Sequence, residues 1–137
     1  MSQYTIFLMQ QNKNGGNIIN IASGLGLRAN IDAHAYCATK AAIISLTECM
    51  AHSYAPHIRV NAVLPGSTDT PLLRKYANLE EEIQLSPMKR IISPDEIADV
   101  VVFLAGEKAK GITGAKFAVD GGESSSSMYT VKSMYKL

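Results

Sequence analysis

The sequence predicts an α/β protein built on a three-stranded parallel sheet, and three observations carry that prediction. Runs rich in β-branched and apolar residues at 17–21 (NIINI), 58–64 (IRVNAVL) and 115–120 (AKFAVD) read as strands. Segments of helical composition separate them, a long alanine-rich one over 35–54 and a strongly apolar one over 94–105. Strands alternating with helices at this spacing pair in parallel through right-handed crossovers.

Each element has a local reason. Residues 3–11 read as a helix stopped by NKNGG, with glycine past its end. The strand at 17–21 runs into a glycine-bearing loop over 22–34, and the helix that follows stops near Pro56. The strand at 58–64 is apolar enough to be covered on both faces, and PGSTDTP breaks it. Residues 71–85, rich in Leu and Glu, read as one or two short helices. SPDE at 93–96 is a helix start, with Ser93 as cap, Pro94 at the first position and Glu96 closing a capping box. In that helix the stripe Ile97, Val100, Val101, Leu104 has core spacing. GITG at 111–114 turns the chain into the last strand, and the low-complexity stretch GGESSSSMY opens a polar, mobile tail. No internal repeat is visible.

Composition narrows the function classes. The chain has 137 residues, 47% of them hydrophobic and 18% charged, with a net charge of +1. This suits one globular domain. No basic block points to nucleic acid, and no apolar run approaches the roughly 20 residues of a membrane helix. The opening residues lack the features of a signal peptide, so the expected location is the cytoplasm. Cys37 and Cys49 lie twelve positions apart on one predicted helix, about 18 Å by the helical rise. That is too far for a disulfide, and free, partly buried thiols fit a reducing compartment. His34, His52 and His57 have no ligand spacing and read as surface or loop residues. Glu80, Glu81 and Glu82 read as a solvated face, and Asn61 and Asp120 as structural residues holding turns at strand ends.

Two motifs bear on chemistry. The turn Gly24, Gly26, Ala29 is close to a dinucleotide's pyrophosphate loop, but there the helix opens within the glycines and an acidic residue follows about 20 positions on. Here the helix starts near Ala35 and Ile44 stands at that offset. The preferred reading is a glycine-rich loop at the C-terminal edge of a strand, which is where ligands bind in open α/β sheets. Ser23 sits at that edge. The second motif is HAYCATKAA, which puts Tyr36 and Lys40 at i and i+4 on one helix face. A free phenol titrates near 10. At about 4.5 Å and an effective dielectric of about 20, an ammonium favours the phenolate by roughly 3.5 kcal/mol, which suits the phenol to general acid–base work. Ser23, thirteen residues before Tyr36, is placed to donate to the oxygen the tyrosine protonates.

These residues, read together, resemble a known family. NIINIASGLGLRANIDAHAYCATKAA, IRVNAVLPGSTDTPL and SPDEIADVVVFLAGEKAKGITGAKFAVDGG follow in order, at matching spacings, the segments of the short-chain dehydrogenase/reductase family. The resemblance covers about residues 3–123. It implies the C-terminal catalytic half of a Rossmann-like doubly wound parallel sheet over 1–123, followed by a polar tail over 124–137. It implies an NAD(P)-dependent oxidoreductase, interconverting a hydroxyl and a carbonyl on a small alcohol or ketone, with NAD or NADP as cofactor. Tyr36 would be the general acid–base, Lys40 would tune it and bind the nicotinamide ribose, and Ser23 would orient the substrate oxygen. Pro65, Gly66, Thr68 and Thr70 would line the nicotinamide, Thr68 through its backbone since the family commonly has an aliphatic residue there. Residues 71–91 would be a lid over the substrate, with Leu72, Leu73, Leu79 and Leu85 as an apolar wall. A homo-oligomer built through the last helix and strand is implied as well.

The family's opening Thr-Gly-x-x-x-Gly-x-Gly, its cofactor-choosing residue and its Asn-Asn-Ala-Gly do not occur in this sequence, nor does its catalytic asparagine ahead of the serine strand. The strand at 17–21 is internal in the family. Here its far edge is expected to be bare and prone to associate, and tight dinucleotide binding is not expected of these residues alone. The competing reading is a non-catalytic α/β interaction module.

Overall fold

The computed structural model describes residues 3–125. The element order is α1 (Gln3–Gln11), β1 (Gly16–Ile21), α2 (His34–Tyr54), β2 (Ile58–Pro65), α3 (Pro71–Tyr76), α4 (Leu79–Leu85), α5 (Pro94–Ala105) and β3 (Lys116–Val119). Short 3-10 turns lie at Gly24–Gly26 and Glu107–Ala109. The three strands form one sheet in the order β1-β2-β3, and both pairings are parallel. Ile18 lies beside Val60 and Ile19 beside Asn61, while Val63 lies beside Phe117.

The two-residue period of the strands sorts the core. Ile18, Ile58 and Val60 point to one face, where they pack with Ile6 of α1 and Ala51 of α2; Ala62 and Leu64 meet Ile44 on the same side. Val63 points to the other face and packs with Leu104 of α5 and Ala109, flanked by Ile19, Ile97, Val100, Val101 and Phe117. Asparagines follow the same parity. Asn20 donates to the Thr47 hydroxyl of α2 at 2.9 Å, whereas Asn17 donates to the Leu104 carbonyl at the end of α5 at 2.8 Å.

Differences from the sequence reading are local. Helix α2 begins at His34, a residue earlier than expected, and the loop before it contains the 3-10 turn. The segment 71–85 forms two helices because Asn78 starts a second one, accepting the Glu80 N–H at 3.1 Å. Cys37 is half-buried, but Cys49 is exposed rather than partly buried. On α2 only Ile44, Thr47 and Ala51 are buried, and position 49 lies off that stripe. Glu82 is not a solvated carboxylate like Glu80 and Glu81. It is half-buried and accepts the Ser67 hydroxyl. Most of the expected polar tail falls outside the described residues. Among the described residues, no helix is long and apolar enough to cross a membrane.

Candidate active site

Parallel pairing brings the C-terminal ends of all three strands to one edge of the sheet. Ala22 N–H donates to the Val63 carbonyl at 2.8 Å and Gly66 N–H to the Val119 carbonyl at 3.1 Å, so the chain leaves each strand beside its neighbour. Ser23 follows β1 directly. It is buried and extended, and it caps the 3-10 turn by accepting the Leu25 N–H at 3.1 Å. That bond uses an oxygen lone pair and leaves the hydroxyl hydrogen to donate.

Tyr36 lies in the first turn of α2, with Lys40 one turn on. The Tyr36 side chain is half-exposed, and Lys40 Nζ stands 5.5 Å from the centre of its ring. The same ammonium donates to the Ile21 carbonyl at 3.1 Å, at the last residue of β1 and two before Ser23. Lys40 thus ties the tyrosine's helix to the serine's strand and keeps two of its three donors for other work.

Why the turn and the helix sit so close is written in Gly26. A Cβ there would lie 2.9 Å from the Lys40 carbonyl carbon and 3.0 Å from the Ala41 nitrogen, both in helix backbone. This is the physical use of the second glycine in the turn, a close approach to α2 that only a missing side chain permits.

The loop after β2 carries the other expected residues. Gly66 packs on Asp120, whose Cβ would lie 2.6 Å from an added Cβ. Thr68 bridges in parallel to Ile92, with Ile92 N–H donating to the Ser67 carbonyl and Asp69 N–H to the Ile92 carbonyl. In that pattern the N–H and carbonyl of Thr68 itself face away from Ile92. The carbonyl receives the Thr70 hydroxyl at 3.3 Å, and Thr70 in turn caps α3 by accepting the Leu73 N–H. Along the segment 71–91, Leu72, Tyr76, Leu85 and Met88 are exposed, while Leu73 and Leu79 are half-buried.

Two residues at this edge, Arg28 and Glu123, carry no motif in the sequence, and they meet beside Asp120. Glu123, buried beyond β3, accepts the Ser67 N–H at 3.2 Å and pairs with Arg28 Nη2 at 3.2 Å, and its own carbonyl accepts Arg28 Nη1 at 2.8 Å. Burial pushes its carboxyl above the ordinary value; the Ser67 bonds and the Arg28 charge pull it down, and the Glu82 charge pushes it further up. Asp120 is raised by burial, but hydrogen bonds from Ser124 and Gly122 and the charge of Arg28 outweigh that and hold it below the usual carboxylate range. The only local signal was a lone charge in an apolar turn, Arg28, and a lone acid after a double glycine, Glu123.

A parallel sheet with helices on both faces, and its polar groups gathered where the strands end, defines an open α/β protein of the Rossmann type. The family model described as enoyl-(acyl carrier protein) reductase matches residues 1–124. The chain belongs to the short-chain dehydrogenase/reductase family. It is 36% identical over 125 residues to the 3-oxoacyl-(acyl-carrier-protein) reductase FabG of Thermotoga maritima, an alignment spanning 89% of this chain and 50% of that protein. Among solved structures it is similar to the aldohexose dehydrogenase of Thermoplasma acidophilum, with TM-score 0.87 and 36% identity over 94% of this chain and 55% of the other. It is also similar to ElxO with NADP bound, with TM-score 0.83 and 32% identity over 90% of this chain and 52% of that one. The chain spans about half the length of the curated relatives it matches.

Proposed function

We propose that this chain carries the proton-transfer half of an NAD(P)-dependent oxidoreductase that interconverts a hydroxyl and a carbonyl on a small alcohol or ketone. The observation that carries the reading is the placement of Lys40, 3.1 Å from the Ile21 carbonyl two residues before Ser23 and 5.5 Å from the centre of the Tyr36 ring. What the dinucleotide supplies or accepts when bound is the hydride. In the reducing direction Tyr36 Oη gives its proton to the substrate oxygen and recovers one from solvent; oxidation runs the same proton backwards. The ammonium of Lys40 faces the negative charge that Tyr36 carries in between. Ser23 donates to the substrate oxygen and fixes its position.

The donor set fits the nicotinamide riboside end of such a cofactor. Lys40 has two donors for ribose hydroxyls, and the Thr68 N–H faces the side away from Ile92, where a carboxamide oxygen can accept it. Pro65 and Gly66 bring the β2 loop beside the serine turn, and Thr70 shapes that loop through its bonds to Thr68 and Leu73. NAD and NADP both fit this end. The relatives point to a small-molecule substrate, and the exposed Val102 and Phe103 of α5 offer a surface for a second copy.

Tyr36→Phe in the full-length protein tests the reading. Turnover is expected to fall by about 10²- to 10⁴-fold, the usual worth of a positioned acid–base, with the dinucleotide dissociation constant unchanged in calorimetry. Wild-type protein that binds dinucleotide yet oxidises no alcohol and reduces no ketone would instead be a non-catalytic α/β module.

A further inference from the structure

Glu123 joins three loops through one buried carboxylate. It follows the β3 turn, it accepts the Ser67 N–H of the β2 loop at 3.2 Å, and it pairs at 3.2 Å with Arg28, five residues past Ser23 in the β1 loop. A second bond, 2.8 Å from Arg28 Nη1 to the Glu123 carbonyl, makes the arginine grip two-pronged. The pair is shielded, with the Arg28 side chain 25% and the Glu123 side chain 11% exposed. Among the described residues Arg28 Nε is buried without a partner; the guanidinium's Nη1 and Nη2 both bond to Glu123, and its charge also acts on Asp120. Gly66 leaves room for the arrangement, since a Cβ there would lie 3.0 Å from Glu123 Oε2. From the lid side, Glu82 of α4 takes the hydroxyl of the same Ser67.

We propose that Arg28 and Glu123 are positioning residues, setting the separation between the Ser23 turn and the 65–70 loop. The inference rests on the functional reading above, in which the first loop orients the substrate oxygen and the second lines the nicotinamide. Hydride transfer needs those two held in register, and misplacement of about 1 Å can cost on the order of 10²-fold in rate. Neither residue touches the reacting atoms. A charge-assisted, two-pronged link restrains the loops better than neutral contacts do.

The test uses the full-length protein with Arg28→Met, Glu123→Gln and Glu123→Ala. Amide hydrogen exchange needs no activity. Arg28→Met is expected to speed exchange at 24–29 while 66–70 stays as in wild type. Glu123→Ala is expected to speed both loops together, and Glu123→Gln, which keeps an acceptor for the Ser67 N–H, mainly the first. Throughout, the β2 amides stay protected. In kinetics, Arg28→Met lowers kcat about tenfold or more, within the cost of a misplaced group, and moves the dinucleotide Kd less than twofold, whereas Glu123→Ala weakens Kd as well. Unchanged exchange in both loops overturns the proposal. So does exchange that rises across the whole molecule in step with a lowered Tm, because that marks a merely structural pair. Should Glu123→Ala fail to fold, Arg28→Met and Glu123→Gln make the same comparison. A wild-type protein without turnover defeats the functional reading, and the exchange arm still judges the linkage.

Discussion

Gly26 shows how much one missing methyl group can decide. Nothing about its backbone demands glycine by conformation; the demand comes from α2, whose Lys40 and Ala41 backbone atoms lie where a Cβ would be. The Ile44 side chain, 2.7 Å from the same point, could swing away, but helix backbone cannot. Gly26→Ala is therefore expected to destabilise by about 1–3 kcal/mol, the usual cost of overpacking, read from urea unfolding. It should also push the Ser23 turn off Lys40, so turnover should fall by more than the stability loss accounts for. Asn61 makes the opposite case, a polar side chain that cannot be spared. It is fully buried, donates to the Ile112 carbonyl at 3.0 Å and accepts the Ala115 N–H at 3.0 Å. Asn61→Leu leaves the Ala115 N–H unpaired at about 1–3 kcal/mol, while the Ile112 carbonyl keeps Arg59 Nη1 at 3.2 Å. A fall in Tm without any shift in Tyr36 chemistry is the expected result.

At the level of elements, α5 carries the clearest local signals. Ser93 accepts the Glu96 N–H at 3.3 Å while Glu96 accepts the Ser93 N–H at 2.9 Å, closing the box expected from SPDE. Ser93→Ala is expected to cost about 1 kcal/mol in chemical denaturation. Glu96 also takes a two-pronged bond from Arg90, at 2.7 and 2.8 Å. The Arg90 hydrogen bonds, with the Ser93 N–H, lower its carboxyl to about 2. A carboxylate depressed in the folded state contributes stability above its unfolded value and loses it as the pH falls through the folded one. Glu96→Gln should therefore melt below wild type at pH 7, and the gap should close on acidification from about pH 5 toward pH 2. A gap constant with pH would show that the pair acts through packing alone. Helix α4 obeys a different logic. Its run of three glutamates looks uniform, yet the helical turn points Glu82 inward to Ser67 and leaves Glu80 and Glu81 in solvent.

Across the whole molecule, parallel pairing is what makes a site possible. It collects Ala22, Pro65 and Val119 at one edge, so that loops distant in sequence share a single surface. The opposite face of that logic is β1, which pairs only with β2 among the described residues and leaves Ile21 exposed. An apolar strand with an open hydrogen-bonding row is a template for further pairing. Residues 1–137 expressed alone are expected to self-associate in light scattering, and a sharply melting monomer would contradict this.

Much of this architecture could be read from the sequence, because its causes are local. The β-branched and apolar runs NIINI and IRVNAVL, the cap at Ser93, and the four-residue step from Tyr36 to Lys40 each depend on neighbours within one or two turns of chain. Strand–helix alternation then leaves little choice but a parallel sheet. The tertiary structure alone decided what those elements meet. Arg28 and Glu123 are 95 positions apart, and no local pattern links an arginine in one turn to a glutamate in another. The purpose of Gly26, the inward turn of Glu82 and the exposure of Cys49 likewise depend on which surface packs against them. Contacts between distant segments arise from the shape of the assembled core, and periodicity along the chain carries no record of that shape.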